Sequence, residues 1–259
     1  MSHHVATLDM LGQGDSPMHR LDPRAKIIAL IVFIASVASF PKYSVGRLTP
    51  YFFYPMLLIS AGGIPLRPIL GRIIPALPFA IMVGLFNPLL DATPYQVGPF
   101  VARAGWVSFA SILARFLLTV GAVLCTIAVT GFPSMCRGLS ELGVPRPLVM
   151  QIQLTHRYLF TLLSEGERLR RARNMRSFGR SGLDWRTAGR MFSVLFMRTL
   201  DRGERIHAAM LCRGYNGSLP ALTRGRFNRS DALFLLAICV TSVLFRLVPV
   251  TDMVGGFLN

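Results

Sequence analysis

Residues 104–132, AGWVSFASILARFLLTVGAVLCTIAVTGF, contain one charged side chain, Arg115, in an otherwise almost wholly apolar run. The hydrocarbon core of a bilayer is about 30 Å thick and takes about 20 apolar helical residues to cross. This stretch is long enough to do so, and its reading sets the class of the whole chain. Four further segments approach the same length, 25–40, 48–64, 69–90 and 232–248, the last interrupted by Arg246. The chain is 52% hydrophobic and only 15% charged, and a soluble domain of 259 residues has no place for so many long apolar runs. The expectation is an all-α polytopic membrane protein with about five transmembrane helices. Pro50, Pro55, Pro75 and Pro78 fall in or at the ends of the second and third spans, where neighbouring helices can satisfy the freed carbonyls.

The charge is extreme for so apolar a chain: 28 Lys and Arg against 12 acidic residues, formally +16. Residues 134–229 hold 18 Arg, no Lys and 6 acidic residues, and therefore 12 of those net charges. Cytoplasmic loops of membrane proteins collect such an excess. Arg20, Arg24 and Lys26 precede the first span, Arg67 and Arg72 lie between the second and third, and the Arg-rich block follows the fourth. Five spans put these three regions on one side. The other side has Lys42, Arg47 and Arg103 and a final VTDMVGGFLN without a basic residue. The N-terminus and the Arg block are expected in the cytoplasm and the C-terminus outside. The division is 1–133 for the first four spans, 134–229 for the cytoplasmic block and 230–259 for the last span and tail. The opening MSHHVATLDMLGQGDSPMHRLDPRAK lacks the pattern of a signal peptide, so the first apolar run is read as a true span.

The basic block carries helical periodicity. PLVMQIQLTHRYLFTLLSEGERLRRARNMR (147–176) opens on a proline suited to a helix start and repeats apolar residues at three and four. A second helix is expected after Asp184 as N-cap, with Met191, Phe192, Leu195, Phe196, Leu200, Ile206 and Met210 as its apolar positions. Two long helices joined by SFGRSGLD would form one arm.

The two helices end alike. GERLRRARNMRSF (166–178) and GERIHAAMLCRGY (203–215) align without a gap, pairing Glu167 with Glu204, Arg168 with Arg205, Leu169 with Ile206, Ala172 with Ala209 and Arg176 with Arg213. Ser177 then meets Gly214, and Phe178 meets Tyr215. An arginine at a helix C-terminus gains about 0.3–1 kcal/mol from the dipole, which accounts for one copy. The repetition of Glu-Arg, spacing and aromatic points to two equivalent docking ends. A small residue admits a neighbouring backbone, the aromatic anchors a pocket, and the guanidinium makes paired bonds to a carboxylate. Two such ends call for two similar acceptor sites on a soluble partner.

Other chemistry finds little support. The two lysines, Lys26 and Lys42, follow Ala25 and Pro41, so no P-loop is present, and no G-x-S-x-G or H-E-x-x-H occurs. Asp201 and Glu204 are read as helical-spacing partners of Arg198, Arg202 and Arg205, and the scattered acids supply no phosphate-transfer site. Cys125, Cys136, Cys212 and Cys239 have no zinc spacing and read as small apolar residues. His3 and His4 make a poor metal signal; His156 and His207 read as structural or surface. Arg170, Arg171 and Arg173 suit anionic membrane lipid, whereas nucleic acid is excluded for want of stacking aromatics. Arg115 either meets a membrane partner or has a structural role.

GDSPMHRLDPRAKI (14–27), MRSFGR (175–180) and above all MRTLDRGERIHAAMLCRGYNGSLP (197–220) resemble the transmembrane T component of energy-coupling factor transporters, in particular its CbiQ type from cobalt or nickel uptake systems. The resemblance covers nearly the whole chain. It implies a scaffold that performs no chemistry and couples two ABC-type ATPase subunits, or a homodimer of one, to a separate substrate-binding membrane subunit in the bacterial cytoplasmic membrane. ATP and Mg would be bound by the ATPases, with no cofactor and no metal site in this chain. The family's short docking motifs fall on Met175-Arg176-Ser177 and Cys212-Arg213-Gly214, supported by Glu167, Arg168, Phe178, Asp201, Glu204, Arg205 and Tyr215. Alanine is commoner in the family at Met175 and Cys212, and Ser177 also departs from its pattern. The alternatives are a membrane enzyme acting on an anionic lipid, a stand-alone metal permease, and a T component serving a vitamin.

Overall fold

A computed structural model of the chain describes residues 12, 14, 16–41, 45–90, 94–97, 100–176, 184–215, 217 and 227–247. After a single turn at Pro17–Arg20 come α1 (Pro23–Ala38), a turn at Val45–Leu48, a 3-10 helix at Thr49–Phe52 and α2 (Phe53–Gly62). Next are α3 (Leu66–Leu90), an antiparallel hairpin of β1 (Pro94–Val97) and β2 (Phe100–Arg103), α4 (Ala104–Thr130) and α5 (Phe132–Glu141). The chain continues with α6 (Arg146–Arg176), α7 (Trp185–Cys212) and α8 (Arg229–Leu247). Its described residues form two compact units, a membrane unit within 12–138 and 227–247 and an arm unit within 139–217.

In the membrane unit, α1 starts where Asp22 caps it, the carboxylate accepting from Arg24 N–H at 2.9 Å with Pro23 in the first turn. α1 packs on α4 and α8, and the core gathers where they meet. Phe33 stacks on Tyr54 with ring centroids 4.6 Å apart and sits 5.9 Å from Tyr51, whose hydroxyl donates to the Ser242 carbonyl at 2.7 Å. Small buried residues of α4, among them Ser111, Ala122 and Ala128, suit close packing against neighbouring helices, which is how helices associate where lipid removes the hydrophobic drive. Asn87 Nδ2 donates to Ser108 Oγ at 2.9 Å and ties α3 to α4.

Three helical stretches, Leu66–Pro88, Ala104–Thr130 and Arg229–Leu247, are long and apolar enough to cross a membrane. The other two apolar segments are also helical, in shorter pieces. The second is broken into a turn, a 3-10 helix and α2, and the first is the 16-residue α1. At about 1.5 Å per residue α1 is roughly 24 Å long, less than the bilayer core. Two arginines meet the carbonyls beyond its C-terminal end. Arg115 Nη2 donates to Pro41 O at 2.5 Å; Arg246 Nη2 donates to Ser39 O at 3.0 Å, with its guanidinium 4.4 Å above the Phe40 ring. Of the two readings of Arg115, the structural one has a partner here: each in-span arginine supplies donors that lipid lacks. The hairpin at 94–103 is an element that periodicity does not disclose.

In the arm unit α6 and α7 form an antiparallel pair. Gly166 lies beside Leu195, Glu165 binds Arg198 and Arg202, and Tyr215 reaches Met150. α7 begins at Trp185, as Asp184 suggests, but the cap is Asp184's carbonyl accepting from Ala188 N–H, and its side chain makes no capping bond. Met191, Leu195, Thr199, Arg202, Ile206 and Met210 of α7 are half-buried at spacings of three and four. Phe192, Phe196 and Leu200 are exposed instead, so the apolar stripe of α7 is wider than this unit covers.

Candidate functional site

The second arginine end is built by a complete C-terminal capping motif. Arg213 is the C-cap of α7, Gly214 N–H bonds Leu211 O at 3.0 Å, and Tyr215 N–H reaches back to Met210 O at 3.0 Å. This pattern requires the residue after the cap to be left-handed, and Gly214 has φ +79°. Glycine at this place in the motif therefore fixes where the helix stops and leaves Arg213 exposed at its tip. Tyr215 folds under the end, half-buried, its hydroxyl donating to Met150 Sδ at 2.7 Å. The aromatic thus fastens the tip to α6, where the sequence reading made it an anchor for a partner.

The first end is shaped differently. Arg176 is the last residue of α6 rather than a cap, and it is exposed, as is Met175 at 84%. Ser177 and Phe178 lie outside the described residues. Because the helices are antiparallel, Arg176 and Arg213 occupy opposite ends of the pair. The 26 residues from Met150, beside Tyr215, to Arg176 separate them by about 40 Å along the axis. Between the helices runs a cleft of about 560 Å³ lined by Met150, Leu154, Tyr158, Ile206, Met210 and Tyr215.

Of the supporting residues, Glu167 pairs with Arg171 at 3.7 Å, and Arg168 Nε donates to Ser164 O at 3.3 Å. The repeat of this pairing fails in α7, where alanine (Ala208) stands at the position matching Arg171. Asp201, Glu204 and Arg205 are exposed. The expected pairing of Asp201 and Glu204 with Arg198 and Arg202 is not what the structure shows. Arg198 and Arg202 both turn to Glu165 of α6, each at 3.7 Å. Glu165 keeps only 18% of its side chain exposed, whereas Asp201 faces water, and an ion pair counts for more where solvent screens it less. Glu165 was legible as an acid between Leu162 and Leu169 on the apolar face of α6.

The four cysteines form no disulfide; Cys125 and Cys136 are buried, and burial pushes the Cys136 thiol above its usual range and keeps it protonated. Cys212 is free and exposed beside Arg213.

A helical membrane protein bearing a paired-helix arm with two matched arginine ends has the build of a transport-coupling subunit. The profile of the CbiQ cobalt transport protein family matches residues 14–223, and the chain belongs to that family. The chain is similar to an uncharacterized protein of Methanocaldococcus jannaschii, 26% identical over 243 residues, covering 88% of this chain and 81% of the relative. It is 32% identical over 130 residues to the cobalt transport protein CbiQ of Salmonella typhimurium, covering 49% of this chain and 56% of that one. It is 26% identical over 256 residues to the energy-coupling factor transporter transmembrane protein EcfT of Listeria innocua, covering 89% and 93%. The two named relatives are transporter components, and the chain is a membrane transport protein of the same kind.

Proposed function

We propose that the chain is the T subunit of an ATP-driven energy-coupling factor uptake system for cobalt or nickel ions. Two ABC-type ATPase subunits take the two arginine ends, Met175-Arg176-Ser177 and Cys212-Arg213-Gly214, each guanidinium meeting a carboxylate in the ATPase. ATP and Mg are bound by those subunits, and the substrate is held by a separate membrane subunit. When ATP draws the ATPases together, the arm helices are displaced, and the membrane unit passes that displacement to the substrate subunit. The protein sits in the bacterial cytoplasmic membrane with its N-terminus and arm inside, as the distribution of arginines favours. The metal rests on the name of the Salmonella relative and on the likeness of residues 213–231 to the cobalt and nickel group.

The observation that carries this reading is the repeat itself: two helices 37 residues out of step in sequence, each presenting an exposed arginine at its C-terminal end. Replacing both by glutamate turns an attraction into a repulsion at both ends. Arg176→Glu with Arg213→Glu is expected to abolish co-purification of the ATPases and uptake of radiolabelled cobalt or nickel, with membrane insertion unchanged. Full complex and full uptake in the double variant would refute the docking assignment.

A further inference from the structure

The chain leaves the membrane unit for the arm at 138–139, within α5, and is described again in the membrane unit from Phe227, just before α8. Near these two places the membrane unit's own residues enter one buried cluster of charges. Asp231, in the first turn of α8, accepts through Oδ1 from Asp22 N–H at 2.8 Å and through Oδ2 from Asn228 N–H at 2.7 Å. One carboxylate therefore fastens the segment entering α8 to the residue that caps α1. Asp22 lies 3.9 Å from the Arg24 guanidinium while capping α1. Lys26, one turn on, is only 2% exposed; its Nζ donates to His19 O at 3.4 Å, with Asp231 and Asp22 as the acids nearby.

Arg137 and its neighbour Gly138 belong to α5, the helix on which the outgoing crossing falls. Gly138 is seated directly on α1. A Cβ there would stand 2.9 Å from Pro23 Cβ and Ile27 Cδ1 and 3.2 Å from the Pro23 carbonyl carbon. α5 and α8 are thus both held to the first turn of α1, one by close backbone packing and the other by a shared carboxylate. Apolar contact would join these helices with less desolvation than two acids and a lysine. What the buried acid adds is a single register: sliding α8 along α1 would leave the Asp231 carboxylate without its donor on α1 inside the protein.

We propose that Asp22, Lys26 and Asp231, with the Gly138 seat, form a positioning joint that delivers arm displacement arriving through α5 to α1 and α8. This rests on the coupling role proposed above. The test uses the complete complex with its ATPases and substrate subunit in liposomes and reads metal uptake per ATP hydrolysed. Asp231→Asn, Lys26→Met and Gly138→Ala are expected to keep the ATPases bound and hydrolysing while uptake per ATP falls by about fivefold or more. Lys26→Arg, which keeps the charge, is expected to retain the wild-type ratio. An unchanged ratio in an intact complex overturns the joint, as does uptake that falls only in step with hydrolysis. If all three variants fail to accumulate in the membrane, the cluster is a folding element and the joint is again overturned. Failure of the wild-type chain to hold the ATPases refutes the coupling reading instead.

Discussion

In the membrane unit Phe33, Tyr51, Leu58 and Leu118 are at most 2% exposed, whereas Val149 alone is buried among the described residues of α6 and α7. One unit gathers a continuous core around α1, while Ile31, Met56, Phe79 and Leu233 face outward, as lipid-facing residues do. The other leaves Trp185, Phe192 and Phe196 outside and joins its helices through Glu165 with Arg198 and Arg202, and through Tyr215 with Met150. The difference separates two mechanical roles. A unit with a continuous core holds its helices in one arrangement, while a helix pair with few buried contacts opens at low free-energy cost. These are the two properties that the coupling role proposed above asks of a frame and a lever.

The contrast breaks most readily at the frame. Phe33→Ala removes the ring that stacks on Tyr54 and leaves a void where lipid cannot enter. A loss of about 3 kcal/mol in resistance to denaturation in detergent is expected, read from an unfolding curve of the purified chain. Gly214→Ala tests the lever's tip. Its φ of +79° is strained for any residue with a Cβ, so about 1 kcal/mol is expected to be lost locally. Hydrogen exchange should show the last turn of α7 fraying while α1 is unchanged. A fall in protection in the membrane unit would mean that the two units are not independently held.

Much of this division can be read from the sequence, and the reason lies in range. The long apolar runs, the start of α7 after Asp184 and the end of α6 at Arg176 are set by periodicity and terminal residues within a few turns. The bond from Asp22 N–H to Asp231 spans 209 residues, and nothing in either local stretch announces it. The same holds for Arg115 and Arg246, whose partners Pro41 and Ser39 come from a loop far away in sequence. At the docking ends the arginines are plain in the repeat, while the difference between them is not. Arg213 is a cap held by Gly214 and Tyr215, whereas Arg176 is itself the last helical residue of α6.

The smallest expected effect falls on Glu165, and it separates strength from alignment. Glu165→Gln keeps the shape of the side chain but removes the charge that faces Arg198 and Arg202. Partly exposed ion pairs are worth about 0.2–1 kcal/mol each, so the stability of the purified chain should fall by about 1 kcal/mol or less. The two arginines, no longer bridged, then repel each other across one turn of α7, and the middle of the helix pair should splay. A distance measured between labels on α6 and α7 near Gly166 and Leu195 should broaden in Glu165→Gln. The unfolding midpoint of the membrane unit should stay where it was. An unbroadened distance would show that apolar contact along the cleft, rather than this pair of bridges, aligns the lever.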